Sequence, residues 1–481
     1  MRDFFGCFEP SMDMLMLDFF GGYMGKGLNT ENRKTKYFGT DGFRGEFGRE
    51  LTVKHAYIIG RFLGESLCRG DGTNPRILIG RDTRLSSPML EAAICAGLGD
   101  GGGEAFLAGV ITTPGLAFAT KNGDFDGGVI ITASHNPYTD NGIKLFDRDG
   151  IKVADELIFE LEKFIDESLK LGLFDESYAP IGRAYPEARE AYVRWLTEGK
   201  IGSLSGLKIG LDTANGAATE IGDRVFRMLG AEVHKIGGEP DGRNINAGVG
   251  STHPEALAEL VTERGLDFGF AFDGDGDRCI TIGKGGKIID GDSEMFILAS
   301  GMKERGELKN NTVVATVMSN SGFVNSLRKI GIEAAIVTVG DRFVSEKMRE
   351  GGYTLGGEQS GHIIIGDGAF GDGIFTAISL ATLMKKSGDT ELLLSDLEIY
   401  PQLMSNVKVR DKGVLMEDAR VTSMIKELSE KIGTQGRILL RPSGTENLIR
   451  VMIEHKNPDK CKLYLEIILD FLEKWKIDNE R

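Results

Sequence analysis

Residues 131–137 read ITASHNP and residues 271–278 read AFDGDGDR. The first places Ser134 after an apolar run, with His135, Asn136 and Pro137 closing a turn that can present its hydroxyl outward. The second gathers Asp273, Asp275 and Asp277 at alternate positions, separated by glycines that let the backbone curl until the three carboxylates meet one ion. Serine is a weak nucleophile without activation, and a phosphoryl group passing to or from it carries spreading negative charge that a hard cation such as Mg²⁺ neutralises. Together the two loops point to phosphoryl transfer. Alone, Ser134 is an ordinary turn serine and the aspartates a solvated acidic turn. Clustered carboxylates repel one another without a cation, however, and Arg278 by itself does not offset three of them. An EF-hand is excluded, because Arg278 and Lys284 occupy the sixth and twelfth positions, where that loop needs Gly and Glu.

Other residues can serve the same chemistry. Lys144 follows the turn signal Asn141-Gly142, so a returning strand IKLF is expected to carry its ammonium back toward Ser134; as a bare signal it is equally a surface lysine. GGEQSGH offers Glu358, Ser360 and His362 on a glycine-flanked loop suited to a polyhydroxylated ligand. RPSGTEN combines the fixed cation of Arg441 with Ser443, Gly444 and Thr445, which can turn hydroxyl and backbone donors toward a phosphate, or simply form a tight turn led by Pro442. GDGAFG at 366–371 satisfies GxGxxG, but its leading strand is short and no second buried strand ends near Glu391, so a dinucleotide fold is not expected. The P-loop pattern GxxxxGK[ST] is absent.

The elements that must hold these loops form a pattern. Strand-like runs at 76–84, 207–216 and 311–320 each lead into an amphipathic stretch, and a second short strand then ends in ITASHNP, AFDGDGDR or LGGEQSGH. That order predicts three similar α/β/α domains whose strand ends turn their loops to one space. After residue 400 the pattern becomes a smaller α+β domain carrying RPSGTEN. The expected division is 1–33 as an atypical N-terminal extension, then 34–180, 181–291, 292–398 and 399–481. A length of 481 residues and 41% hydrophobic content suffice for several cores. A formal charge of −15 without a concentrated basic face argues against nucleic acid and acidic lipid as partners. Cys7, Cys68, Cys95, Cys279 and Cys461 are scattered and lack any CxxC, which suggests a reducing cytoplasm. The apolar stretch MLMLDFFGGYMG lacks the flanks of a signal peptide, and no run reaches the roughly 20 apolar residues of a membrane span.

In this order TASHNP, DGDGDR, GEQSGH and RPSGTE resemble the α-D-phosphohexomutases, and KYFGTDGFRG at 36–45 looks like the opening of the bacterial phosphoglucosamine mutases. The resemblance spans about 36–475 and implies four domains around a central cleft. It implies a phosphorylated Ser134 as catalytic residue, with Arg44 and Lys144 beside it, and one Mg²⁺ held by Asp273, Asp275, Asp277 and the phosphoserine. It also implies interconversion of glucosamine 6-phosphate and glucosamine 1-phosphate through a sugar 1,6-bisphosphate that also serves as activator, a step toward UDP-N-acetylglucosamine. Glu358, Ser360 and His362 are then expected on the sugar, and Arg441, Ser443, Gly444 and Thr445 on its unreacting phosphate. A homodimer is compatible with the resemblance. Asn447 stands where the family commonly has proline, and residues 1–33 have no counterpart. The nearest alternative is a phosphoglucomutase or phosphomannomutase; a phosphosugar-binding regulator and a phosphatase are further ones.

Overall fold

The computed structural model describes residues 35–39, 41–67, 73–171, 182–198, 202–367, 369–442 and 447–479. The extension expected at 1–33 and the loop residues Ser443, Gly444 and Thr445 lie outside them.

Three four-stranded units repeat one arrangement. In the first, β1 (Arg76–Arg81), β2 (Glu104–Val110), β3 (Gly127–Ile131) and β4 (Asp140–Asp147) lie in the order β2-β1-β3-β4. In the second, β5 (Lys208–Asp212), β6 (Glu232–Ile236), β7 (Phe268–Phe272) and β8 (Cys279–Ile282) lie in the order β6-β5-β7-β8. In the third, β9 (Thr312–Thr316), β10 (Glu333–Val337), β11 (Leu355–Gly357) and β12 (Ile363–Ile365) give β10-β9-β11-β12. In each unit the first three strands are parallel and the fourth is antiparallel. These strands are largely apolar, and every residue of β3, β7 and β9 is buried, as strands covered on both faces must be. Each chemically unusual loop lies between the third and fourth strands, at the carboxyl end of a buried parallel strand. The short strands Phe38–Gly39, Gly42–Glu46 and Arg183–Ala184 extend the first sheet to seven strands, and Ile288–Ile289 extends the second to five.

The C-terminal part is a three-stranded antiparallel sheet of β13 (Gln402–Lys408), β14 (Gly436–Pro442) and β15 (Leu448–His455), with β15 central. The helices Ala419–Ile432 and Pro458–Asn479 accompany it and share its apolar core, which is separate from the others. The fold is therefore four α/β domains. One continuous apolar cluster runs from Leu78 and Ile130 through Leu211 and Phe270 to Val313 and Ile378, joining the first three domains into one packed body. No described helix is long and apolar enough to cross a membrane. GDGAFG follows β12, an antiparallel edge strand, so it lacks the parallel strand that a dinucleotide loop requires.

Asn141 and Gly142 do not form the expected turn. Both lie inside β4, and the chain reverses earlier, at 134–140. Asn141 is buried and donates to Ser86 Oγ and Ser87 Oγ, while a Cβ on Gly142 would stand 2.3 Å from the carbonyl oxygen of Thr132. The glycine serves a close strand approach there, not a positive φ.

Candidate active site

Ser134 is the residue on which the first loop turns. Its φ of 51° is left-handed, a conformation costing a non-glycine residue about 1–2 kcal/mol. The side chain is completely buried, contrary to the expected outward hydroxyl, and its Oγ donates to Asp273 Oδ2 at 2.5 Å. Ser134 thus meets the acidic loop of another domain directly, 139 residues along the chain.

Asp273, Asp275 and Asp277 lie on the loop between β7 and β8, all buried, with one carboxylate oxygen from each within 4.8 Å of the others. Backbone bonds from the neighbouring domains pin that loop. Thr113, opening the helix Thr113–Asn122, donates its N–H to Asp275 O at 2.9 Å and its hydroxyl to Asp275 Oδ2 at 2.6 Å. Gly373, opening the helix Gly373–Ser387, donates to Gly276 O at 3.1 Å. Arg278 and His362 form a β-bridge, placing the GEQSGH loop alongside.

The electrostatics suit a cation. Burial and the charges of Asp277 and Asp275 push the Asp273 carboxyl well above its usual range. Burial presses on Asp277 likewise, but Lys144, His362 and Arg278 hold it well below. Among the described residues Asp275 Oδ1 and Asp277 Oδ1 are buried without a hydrogen-bond partner; His362 and Arg278 approach Asp277 Oδ1 only at 3.7 and 4.0 Å, and a closer cation would relieve the cost of burying both oxygens. The donor set is all carboxylate and hydroxyl oxygen, matching a hard divalent ion such as Mg²⁺.

Lys144 is buried with its Nζ 2.9 Å from Asp275 Oδ2, 3.2 Å from Asp41 Oδ2 and 3.4 Å from Asp277 Oδ2. It reaches the acidic cluster as its counter-ion, not Ser134 itself. Burial disfavours its charge, yet Asp275, Asp41 and Asp277 hold the ammonium well above its ordinary value. A Lys144 that gives and takes a proton near neutrality would need the opposite shift. His135 is shifted the other way: burial, Arg278 and Arg44 bring it down to about 4, so its imidazole is neutral near pH 7, and its Nδ1 lies 3.3 Å from Ser134 Oγ.

Arg44, half-buried in the strand Gly42–Glu46, pairs with Asp41 and keeps its Nε unpartnered. Glu358 Oε1 accepts from the Gly340 N–H at 3.0 Å, and Ser360 is exposed. His362 is buried 3.7 Å from Asp277 Oδ1; burial lowers its pKa, but Asp277 more than reverses that and lifts it to about 9. It packs beside the acidic loop, on the same GEQSGH segment as Glu358 and Ser360. Arg441 is exposed near the end of β14, on the strand that leads out to 443–446.

Asp41 and Thr113 escaped the sequence-based inventory. Asp41 joins Arg44, Lys144 and, at 2.5 Å, Lys152. Its place in GTDGFRG, three residues before Arg44, was the available signal.

The domain series matches this geometry. Four models match in order: phosphoglucomutase/phosphomannomutase alpha/beta/alpha domain I at 35–171, domain II at 190–286, domain III at 290–400 and the C-terminal domain at 404–470. A phosphoglucosamine mutase of Bacillus cytotoxicus is 47% identical over 447 residues, covering 91% of this chain and 98% of that one. The chain belongs to the phosphoglucosamine mutases. A Bacillus cereus phosphoglucosamine mutase is likewise 47% identical, over 446 residues and the same shares. Among solved structures, a phosphoglucomutase/phosphomannomutase family protein from Burkholderia thailandensis superposes with a TM-score of 0.76 at 25% identity, covering 92% of this chain and 98% of that one. An Aspergillus fumigatus N-acetylphosphoglucosamine mutase, solved with GlcNAc-6P and magnesium, shares the fold with a TM-score of 0.63 at 15% identity, over 91% of this chain and 95% of that one. As members of this family are mutases, the protein is an isomerase of the phosphohexomutase superfamily.

Proposed function

We propose that the chain interconverts glucosamine 6-phosphate and glucosamine 1-phosphate through a phosphoserine at Ser134, supplying a precursor of UDP-N-acetylglucosamine. The observation that carries this is the 2.5 Å contact of Ser134 Oγ with Asp273, beside two buried carboxylate oxygens without a hydrogen-bond partner among the described residues. In the forward direction the phosphoryl group leaves Ser134 Oγ for the sugar O1, breaking one P–O bond and forming another. The neutral imidazole of His135, with its Nδ1 3.3 Å from Ser134 Oγ, is a candidate acceptor for the O1 proton. The resulting 1,6-bisphosphate turns over, its O6–P bond breaks, Ser134 is rephosphorylated, and O6 leaves protonated on glucosamine 1-phosphate. Asp273, Asp275, Asp277 and the phosphoserine would hold Mg²⁺, which would supply charge neutralisation for the moving group.

Lys144 and Arg44 add fixed positive charge at the same place. Glu358, Ser360 and His362 hold the sugar, and Arg441 with Ser443, Gly444 and Thr445 holds the phosphate that is not reacting. A carboxylate accepts adjacent hydroxyls in either orientation, which a substrate that must bind both ways round requires. Added sugar 1,6-bisphosphate activates dephosphorylated enzyme by leaving one phosphate on Ser134. The unpaired Cys95, Cys279 and Cys461 favour a reducing cytoplasm.

Incubation with glucosamine 6-phosphate, glucose 6-phosphate and mannose 6-phosphate, with product analysis and side-by-side kinetics, tests the assignment. The 1-phosphate isomer with the highest kcat/KM for the amino sugar supports it. Inorganic phosphate as product would indicate a phosphatase, and a preference for glucose or mannose phosphate would move the specificity while leaving the mutase chemistry.

A further inference from the structure

We propose that Arg84 and Asn246 form a two-domain clamp that fixes Ser134 in its left-handed backbone conformation, making both positioning residues for phosphoryl transfer. The proposal rests on the mutase reading above. Arg84 is 1% exposed, and its guanidinium is spent on one loop. Nη2 donates to the carbonyl oxygens of Ser134 (3.0 Å) and Asn136 (2.8 Å), and Nη1 to those of Pro137 and Asp140 (3.0 Å). Only Nε turns to a carboxylate, Asp82 Oδ2 at 2.8 Å. A core ion pair would need no more than that last contact.

Asn246 comes from the second domain and addresses the same two carbonyls: its Nδ2 donates to Ser134 O at 2.8 Å and Asn136 O at 3.0 Å. Asn246 is itself left-handed at φ 58°, and its N–H is fixed on Ala214 O at 2.9 Å. The metal loop closes the third side, since a Cβ on Gly274 would lie 2.5 Å from Ser134 O. The nucleophile's peptide is thus defined by donors from two domains, independently of its hydroxyl, which stays free to face Asp273. A planar fork is needed to span paired carbonyls, and lysine's single ammonium cannot reproduce it.

The test uses the full-length chain. Asn246→Ala should lower kcat for glucosamine 6-phosphate by about tenfold to a hundredfold, as misplacement of a reacting atom does, while sugar KM stays within about threefold. Arg84→Lys, which keeps the charge but not the fork, should show the same split. Amide hydrogen exchange across 132–142 should be slow in the wild type and faster in either variant. Unchanged kcat and unchanged exchange in a folded Asn246→Ala protein would overturn the clamp. Should both variants fail to fold, rapid exchange of these amides in the folded wild type would overturn it equally. A wild type unable to isomerise the sugar would instead defeat the mutase reading, and exchange would still judge the clamp.

Discussion

In the proposed mechanism two requirements meet at Ser134: the hydroxyl must carry phosphate, and the carboxylates facing it must not repel that phosphate. Ser134→Ala removes the first and should reduce turnover by about 10⁴-fold or more, with no phosphate found on the peptide containing residue 134 by mass mapping. Full activity in that variant would refute covalent transfer through this serine. Asp275 bears on the second, because one of its oxygens binds Thr113 and Lys144 while the other has no hydrogen-bond partner among the described residues. Asp275→Asn should therefore cut kcat by about 10²–10³ with little change in KM, since the lost charge acts on the group in motion rather than on the bound sugar. Isothermal titration should show weaker Mg²⁺ binding by the same variant, a readout that does not depend on turnover.

The elements show what a linear sequence can and cannot reveal. The three repeated strand pairs were legible because a buried parallel strand must be apolar along its whole length, and GGVII, FGFAF and TVVAT are nearly so. Asn141-Gly142 misled, because a glycine required by crowding between strands has the same letter as one required by a turn. The role of Lys144 as counter-ion was hidden for another reason: its partners Asp275 and Asp277 lie 131 and 133 residues away on another domain's loop. Helix Gly291–Glu304 carries a further feature invisible in sequence. Asp292 is buried in its first turn, and its Oδ2 accepts the Asn320 N–H at 2.7 Å while Oδ1 has no partner. Burial and the neighbouring Asp290 push its pKa up to about 7. The folded protein therefore holds this proton more tightly than the unfolded chain, and stability falls as pH rises from about 4 toward 7, by about 1.4 kcal/mol per pKa unit. Asp292→Asn should raise the melting temperature at pH 8 and have little effect near pH 4. A gain that is the same at both pH values would contradict the linkage.

Across the whole molecule the domains are joined in two different ways. The first three share an apolar cluster, so the serine loop, the acidic loop and GEQSGH are set against one another by packing as well as by hydrogen bonds. The fourth has its own core and meets the third through polar contacts. Glu454, completely buried, accepts from Arg437 Nε at 2.8 Å, Arg437 Nη2 at 3.0 Å and Ser321 Oγ at 2.7 Å, while Arg437 Nη2 also donates to Ser319 O at 2.7 Å. Arg437 and Arg441 lie four residues apart on β14 and so point from the same face of the sheet. The residue that docks the domain therefore shares its strand face with Arg441, which the proposed function sets on the phosphate. Arg437→Ala leaves the buried Glu454 without its cation; because Arg437 is itself 29% exposed and Ser321 still donates to the carboxylate, the cost should be about 1–3 kcal/mol, below that of a fully buried pair. The cost should appear as loosening of the fourth domain alone, because the shared core of the other three is untouched. Hydrogen exchange should accelerate in 402–479 and not in 127–147. KM for the phosphosugar should rise by about tenfold or more, with kcat falling less, since Ser134 and its acidic loop remain assembled. Arg437→Lys restores the charge but not both contacts to Glu454, and should fall between the two. A uniform loss of protection across all four domains would show instead that the fourth domain is part of one cooperative unit with the rest.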